Sequence, residues 1–358
     1  MNPSAAIYNG IIEEASEMAE KNKLKLLYIL EIMQHTDADH PLNISQIIRN
    51  LQSKGINAER KSIARDLHTI SEAGFSIGKC ESHNDGFYMT DQLFEDYELK
   101  ILADAIFSAT WLTEKDSDKL IQKLKSIATE NGKQLISSTT YIDSSLKSED
   151  STNKIKFDTV LHAIMHRHQI SFQYMTVGPD GKKEPYRNGR IYTASPYYLP
   201  LYENEYYLIA NPSEHEHATH FKLDLMEKIA EIPYPVRPIS EIYEFKNQGS
   251  SFSITRYLKE SVHLYNGTSE VLTLHCSKWV RRNIQKKFGK NTVMINQPNG
   301  SFLVHVKVAP SEGFYQWLAG YGCNIVIKEP ENVKNEFLEF IDSIEKAYGR
   351  KANDHESE

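Results

Sequence analysis

The sequence predicts a multidomain α+β protein, because helical and strand-like patterns fill separate stretches of its 358 residues. Helical patterns and a hairpin signal occupy residues 1–90, short strands dominate 151–240, and strands alternate with helices in 250–350. Residues 91–150 carry two helical patterns, over 91–113 and 116–129, and end in a linker rich in Ser, Asp and Lys. We therefore expect three domains, the first and second joined by a helical connector.

The first domain contains two short helices separated by a tight turn. Asn43 can cap the first helix while Gln46 reaches back to it, a pairing that satisfies amide groups at a helix start. Gly55 follows this helix, and Gly74 follows a second helix predicted over 58–73. Glycine enters the left-handed conformation at a helix end without steric cost, so both positions indicate termini.

The second helix has one apolar and one polar side. Ile63, Leu67 and Ile70 recur at helical spacing and predict the buried side. The other side offers the cations and hydroxyls that bind phosphates and base edges in a major groove. The predicted DNA-binding residues of this helix are Arg60, Lys61, Ser62, Arg65, His68 and Thr69. Asp66 and Arg60 flank the apolar stripe and are expected to fix the helix by ion pairing.

A β-hairpin is predicted directly after this helix pair. Residues 75–77 and 87–89 alternate like strands, and Asn84-Asp85-Gly86 between them is a strong turn signal. Two helices and a hairpin make a winged helix-turn-helix, in which the second helix enters the major groove. His83, in the hairpin loop, is expected to contact phosphates. The alternative is an ordinary αα-hairpin with a solvated charged side.

Strand patterns then predict a small β-barrel or sheet, and a mixed order follows it. The predicted strands of the middle domain cover residues 170–174, 190–193, 195–201, 205–210 and 219–225. From 252 to 347 the order resembles βαββαβ, which predicts a ferredoxin-like α/β sandwich.

Three motifs resemble the WYL-domain family. Pro196-Tyr-Tyr-Leu199, then Tyr206-Tyr-Leu208, then Phe221-Lys-Leu-Asp224 are similar to its strand signatures. Residues 60–67, Arg-Lys-Ser-Ile-Ala-Arg-Asp-Leu, resemble the core of that family's recognition helix. The tail is similar to the family's C-terminal extension, so the resemblance covers nearly the whole chain in the family's domain order.

This resemblance implies a bacterial transcription regulator that acts as a homodimer. Its winged helix would bind a double-stranded DNA operator, and its central SH3/Sm-like β-barrel would sense a small-molecule or nucleic-acid effector. Tyr206 replaces the family's signature tryptophan, while His220 and Leu225 replace two usual arginines, for which nearby cations would compensate. The predicted ligand-binding residues are Tyr174, Arg187, Arg190, Ser195, Tyr206, Tyr207, His220, Lys222 and Asp224.

Composition limits the other possibilities. The net charge of −7 argues against a generic polyanion binder, so any nucleic-acid site must be a local patch. No apolar run approaches the roughly 18 residues that span a bilayer, and the three distant cysteines indicate reduced thiols in a cytoplasmic protein. We see no phosphate loop, nucleophile elbow or paired carboxylates, and predict neither an enzyme nor a cofactor.

Two histidine clusters leave a metal site open as an alternative. His162, His166 and His168 include the i, i+4 helical pair of many zinc sites, and a second cluster is His215, His217 and His220. The first cluster has no further carboxylate or cysteine nearby in sequence, and the second is interpreted as a solvated polar turn, so no metal ligand is assigned. The alternative functions are an RNA- or nucleotide-binding barrel without operator recognition and, least favoured, a metal-dependent hydrolase.

Overall fold

The computed structural model describes residues 21–80, 86–138, 146–246, 254, 257–258 and 269–349. The fold is mixed α and β with antiparallel sheets, and the chain divides into two compact units, 1–151 and 152–358. The predicted wing residue His83 lies outside the described residues. Of the helices within the described ranges, none has the length and apolarity needed to cross a membrane.

From residue 21 to residue 90, the described part of the first unit contains three helices and a hairpin. These elements are α1 (21–34), α2 (Ile44–Ser53), α3 (Arg60–Glu72), β1 (Ile77–Cys80) and β2 (Gly86–Met89). The two strands pair antiparallel with Ile77 opposite Met89, and a bridge from Leu42 to Phe87 ties the segment before α2 to the hairpin.

The predicted helix signals at α2 and α3 are confirmed. The Asn43 Oδ1 accepts a hydrogen bond from the Gln46 amide at 3.0 Å, and the Gln46 Oε1 accepts one from the Asn43 amide at 2.8 Å. Gly55 and Gly74, which follow the two helices, have φ angles of +77° and +99°. A side chain at either position would be strained, so these glycines fix where the chain leaves each helix.

The core of this part contains the predicted stripe of α3 and part of the predicted apolar side of α1. Residues from all three helices are buried here: Ile29, Met33, Ile47, Leu51, Ile63, Leu67 and Ile70. The pattern of residues 23–34 predicts one apolar side made of Leu24, Leu27, Tyr28 and Ile32. Tyr28 and Ile32 pack against the core, whereas Leu24 and Leu27 are 50% and 62% exposed. Because α1 carries apolar residues on more than one side, its pattern alone does not determine which side is buried.

Lys25 extends the buried register of α1 and lies against α3. Its side chain is 8% exposed, and its Nζ is 3.0 Å from the Asp66 Oδ2. The same ammonium donates a hydrogen bond to the Ser62 Oγ at 2.5 Å. A lysine is seldom buried unless it is paired, so Asp66 and Ser62 fix Lys25 and thereby hold α3 against α1.

Three helices follow the hairpin: α4 (Asp96–Ser108), α5 (Glu114–Lys125) and α6 (Glu130–Ser137). A core that includes Leu99, Phe107 and Ile121 packs them together. The helix expected over 91–113 is shorter at both ends, because a capping box at Glu95 starts α4 and an extended Ala109 ends it.

Polar contacts join the connector to the loop after α1. The Asn131 amide donates to the Asp37 Oδ2 at 3.1 Å, and the His35 Nδ1 lies 2.9 Å from the Ala128 carbonyl oxygen. Burial acts to raise the pKa of Asp37, but hydrogen bonds from Asn131 and His40 outweigh it and lower that pKa below its usual value. The Asp37 carboxylate is therefore a charged anchor between the two parts of this unit.

The second unit opens with α7 (Asn153–His166), which packs on an antiparallel sheet. The strands are β3 (His168–Val177), β4 (Lys183–Pro185), β5 (Ile191–Tyr198), β6 (Leu201–Tyr202), β7 (Glu205–Pro212), β8 (Thr219–Lys222) and β9 (Met226–Pro235). The central order is β9-β3-β5-β7-β8, with β4 beside β3 and β6 beside β7. Phe172, Leu208 and Phe221 lie in its core.

The prediction of a β-barrel is wrong, because the sheet does not close. A 3₁₀ turn at Leu223–Leu225 leads from β8 to β9, and β9 then pairs with β3 on the far side of the sheet. Within residues 168–235, all of which are described, β8 and β9 form no ladder with each other. The sheet is therefore open between its two outer strands.

After short helix α8 (Tyr243–Lys246), the chain ends in a second sheet with helices. The elements are β10 (Glu270–Cys276), α9 (Arg281–Phe288), β11 (Met294–Asn296), β12 (Phe302–Val308), α10 (Glu312–Ala319), β13 (Ile325–Glu329) and α11 (Glu331–Ala347). The antiparallel strand order is β11-β12-β10-β13. Leu272, Val304 and Phe314 lie in the core. Residues on the other face of the sheet, such as Val271 and Lys307, are exposed.

We predict that Lys25→Ala lowers the free energy of unfolding of the first unit by about 3 kcal/mol, because it leaves Asp66 without its partner. The matched control is Lys100→Ala, which removes an exposed pair with Asp104 and should cost less than about 1 kcal/mol. Urea unfolding followed by circular dichroism measures both. Equal small losses in the two variants would contradict a structural role for Lys25.

Candidate nucleic-acid interface and ligand-binding residues

The outward side of α3 carries the best candidates for nucleic-acid contact. Lys61, Arg65, His68 and Thr69 are all exposed there. The Arg65 Nε donates to the Lys61 carbonyl oxygen at 3.4 Å, and neither cation forms an ion pair with a described residue. The His68 Nε2 is 3.8 Å from the Glu72 Oε1. Two cations one helical turn apart thus face solvent, and neither has an acidic partner among the described residues.

Arg60 and Ser62, also predicted to contact DNA, make contacts inside the unit. The Arg60 Nη1 donates to the Ser45 Oγ at 3.3 Å and so links α3 to α2. The Ser62 Oγ accepts the Lys25 hydrogen bond. Lys25 was missed from the sequence, although its i−4 spacing from Ile29 placed it in the buried register of α1.

Four predicted ligand-binding residues meet around Glu205, which the sequence analysis did not single out. The Tyr174 hydroxyl oxygen accepts a hydrogen bond from the Lys222 amide at 3.1 Å. The Lys222 Nζ is 2.6 Å from the Glu205 Oε1 and 3.9 Å from the Asp224 Oδ2. The Tyr207 hydroxyl donates to the Glu205 Oε2 at 3.3 Å. Strands β3, β7 and β8 therefore assemble one polar cluster.

The two tyrosines of this cluster are held neutral. Burial raises the pKa of Tyr174, although its hydrogen bond from Lys222 acts in the opposite direction. Burial also raises the pKa of Tyr207, and the adjacent Glu205 charge raises it further. Both phenols consequently remain protonated at neutral pH and serve as hydrogen-bonding groups.

Two lysines near this cluster share one carboxylate of the same sheet. The Lys156 Nζ lies 2.7 Å from the Glu227 Oε1, and the Lys183 Nζ lies 3.5 Å from the same oxygen. The Lys183 Nζ also donates to the Asp224 carbonyl oxygen at 2.7 Å. An incoming anion would have to displace the Glu227 carboxylate to gain the full charge of either lysine.

Arg187 differs from those lysines. It is exposed, has a left-handed φ of +49°, and its guanidinium carbon lies 5.3 Å from the centroid of the Tyr186 ring. The Tyr186 ring in turn lies 6.3 Å from Tyr174, edge to face. Arg187 makes no ion pair within the described part of the chain. We call Arg187, Tyr186 and Tyr174 the Arg187 stack.

Two predicted ligand-binding residues are engaged away from the Arg187 stack. The Arg190 guanidinium pairs with the Glu214 carboxylate. Ser195 is buried, and its Oγ accepts a hydrogen bond from the Arg237 amide at 2.9 Å. Both contacts hold loops of the second unit to the sheet.

The remaining two predicted residues, Tyr206 and His220, pack against other rings. The Tyr206 ring meets the Phe157 ring of α7 edge to face, with centroids 4.7 Å apart. The His220 Nε2 lies 2.9 Å from the Tyr257 hydroxyl. The predicted set is therefore distributed over several environments, and only part of it shares one surface.

Similar solved structures span most of the chain at low identity. Proteasome accessory factor B/C (PafBC) of Arthrobacter aurescens is 16% identical, with 94% of this chain aligned and a TM-score of 0.25. The alignment covers 48% of that protein, so this chain spans about half its length. A CRISPR Cas-related protein is 13% identical over 94% of this chain and 87% of that one, with a TM-score of 0.33.

Two domain families match the second unit. Residues 156–231, from α7 into β9, match the WYL domain, and residues 269–342, from β10 into α11, match the WCX domain. No curated protein matches the sequence as a whole. The chain therefore contains a WYL domain followed by a WCX domain.

Proposed function

We propose that this protein is a DNA-binding transcriptional regulator whose affinity for an operator is controlled by a ligand of its WYL domain. In this proposal residues 21–90 act as a winged helix-turn-helix, with α3 as the recognition helix. The observation that carries it is the exposed pair Lys61 and Arg65, which α3 presents without acidic partners among the described residues.

The inner contacts of α3 support this role. Ile63, Leu67 and Ile70 are buried and Asp66 is paired with Lys25, so the opposite side is the one left for DNA. Each cation that neutralises a phosphate releases condensed counterions, which favours binding without a basic domain. Such a local patch is compatible with the overall charge of −7. A homodimer would double it and set two recognition helices on half-sites about one helical turn apart.

The Arg187 stack supports a ligand with an anionic group and an aromatic ring, as in a nucleotide or single-stranded nucleic acid. A guanidinium can donate two parallel hydrogen bonds to two oxygens of one phosphate, and tyrosine rings stack on bases. The other predicted cations, Arg190 and Lys222, are already paired with Glu214 and Glu205. Control by a ligand requires two conformations of the protein that differ in their affinity for the operator. The ligand alters operator affinity only if it binds one of these conformations more tightly than the other.

A second candidate is an RNA- or nucleotide-binding WYL protein that recognises no operator. The Arg187 stack favours it as well, since this surface needs no contribution from α3. The two candidates differ in whether the cations of α3 matter for nucleic-acid binding.

We predict that Lys61→Ala combined with Arg65→Ala weakens binding to duplex DNA by roughly 100-fold and lowers the salt slope by about 2. Fluorescence anisotropy with labelled genomic fragments at several salt concentrations measures both quantities. The matched control is Lys115→Ala with Lys119→Ala, an exposed pair of the same spacing on α5. Unchanged duplex binding in the α3 variant would remove the operator proposal and favour the second candidate.

We also predict that Arg187→Ala weakens binding of a short fluorescent single-stranded oligonucleotide by about tenfold, because it removes one cation and its stacking surface. The control is Lys182→Ala, an exposed lysine in the turn before β4, whose Nζ lies 3.5 Å from the Asp180 Oδ2. Equal affinities of the Arg187 variant and the unmodified protein would show that the Arg187 stack is not the ligand site.

A further inference from the structure

Two histidines and a glutamate from three separate elements meet on the WYL domain. His166 is the last residue of α7, His168 is the first of β3, and Glu231 lies in β9. The Glu231 Oε1 is 2.9 Å from the His166 Nδ1 and 2.6 Å from the His168 Nδ1. One potential ligand atom from each residue lies within 4.8 Å of the others.

The backbone accounts for this meeting. Arg167 adopts a left-handed φ of +55°, which ends α7 and turns the chain directly into β3. The histidines on either side of this turn consequently approach each other, with ring centroids 5.7 Å apart. Strand β9 pairs with β3 and places Glu231 opposite Ile170, close to the start of β3.

The donor set fits a borderline transition metal. Two imidazole nitrogens and one carboxylate oxygen are a common ligand set for Zn²⁺, whereas Mg²⁺ and Ca²⁺ prefer oxygen ligands alone. Tetrahedral zinc with bonds of about 2.0 Å needs donor atoms roughly 3.3 Å apart. The two spacings from the Glu231 oxygen to the histidine nitrogens are shorter than this by less than about 1 Å, and the three ligand atoms all lie within 4.8 Å of one another. All three side chains are partly exposed, so small rotations suffice.

We propose that His166, His168 and Glu231 bind one zinc ion. The ion is held by three protein ligands and keeps a coordination position open to water or to an anionic donor. It crosslinks the end of α7 to β3 and β9, so its binding stabilises the first part of the WYL domain. This site is separate from the Arg187 stack and does not depend on the proposed regulatory function.

Neighbouring histidines are not part of the site. His162 lies one turn earlier on α7, and its Nε2 is 3.6 Å from the Asp158 Oδ1. His215 and His217, in the second histidine cluster of the sequence, are exposed. Among the residues that the structure describes, only His166, His168 and Glu231 form a group of three such ligand atoms.

The test is zinc titration of the full chain, purified without a histidine tag, stripped of metal and competed against a chromophoric chelator. We expect one zinc per chain, and losses of affinity of about 100-fold or more for Glu231→Gln and for His168→Gln, since outer-shell changes alone cost 10- to 100-fold. The control is His215→Gln, which should bind zinc as tightly as the unmodified protein.

Two further measurements distinguish zinc binding at this site from a change in folding and from zinc binding to a cysteine. Zinc should raise the melting temperature of the unmodified chain but not of the Glu231→Gln variant. Without zinc, the two proteins should have the same melting temperature. Cobalt bound in place of zinc should show d–d absorption without a thiolate charge-transfer band, because the proposed ligands include no cysteine. A thiolate band would instead indicate binding at a cysteine such as Cys323, which is exposed. Absence of stoichiometric zinc, equal affinity in the Glu231 variant, or a thiolate band would overturn the proposal.

Discussion

The ion pair between Lys25 and Asp66 is the contact on which the proposed DNA-binding surface depends. An apolar stripe alone permits a helix to roll, because neighbouring apolar contacts can replace one another at little cost. A buried ammonium has a single place where its charge is satisfied, here between Asp66 and Ser62. We infer that this contact sets the rotation of α3 about its axis. With Asp66 turned towards α1, Lys61 and Arg65 necessarily face outward.

Charge pairing within the chain also distinguishes the candidate ligand residues from one another. The acidic residues of the WYL domain neutralise most of its nearby lysines, as Glu205 does for Lys222 and Glu227 does for Lys156. Arg187 lies outside this pairing and rests on an aromatic ring instead. An acidic protein can therefore offer anion-binding groups at selected points, because its carboxylates are already committed to particular partners.

Much of the fold could be predicted from local signals, whereas contacts between distant segments could not. The capping box at Asn43 and the stripe of Ile63, Leu67 and Ile70 depend on neighbours within one helix, and both were predicted. Which residues of α1 are buried, and whether the sheet closes into a barrel, depend on tertiary packing. The predictions for Leu24, for Leu27 and for a barrel were wrong. Glu231 joins His168 across 63 residues, so no spacing in the sequence could reveal that pair.

In the proposed regulator, two copies of α3 read one DNA duplex together. The decisive experiment is selection of bound duplexes from a random pool by the whole chain. The account predicts enrichment of an inverted repeat whose half-sites are about one helical turn, or a multiple of it, apart. A pool that remains random after repeated rounds, while single-stranded nucleic acid is retained, would contradict it.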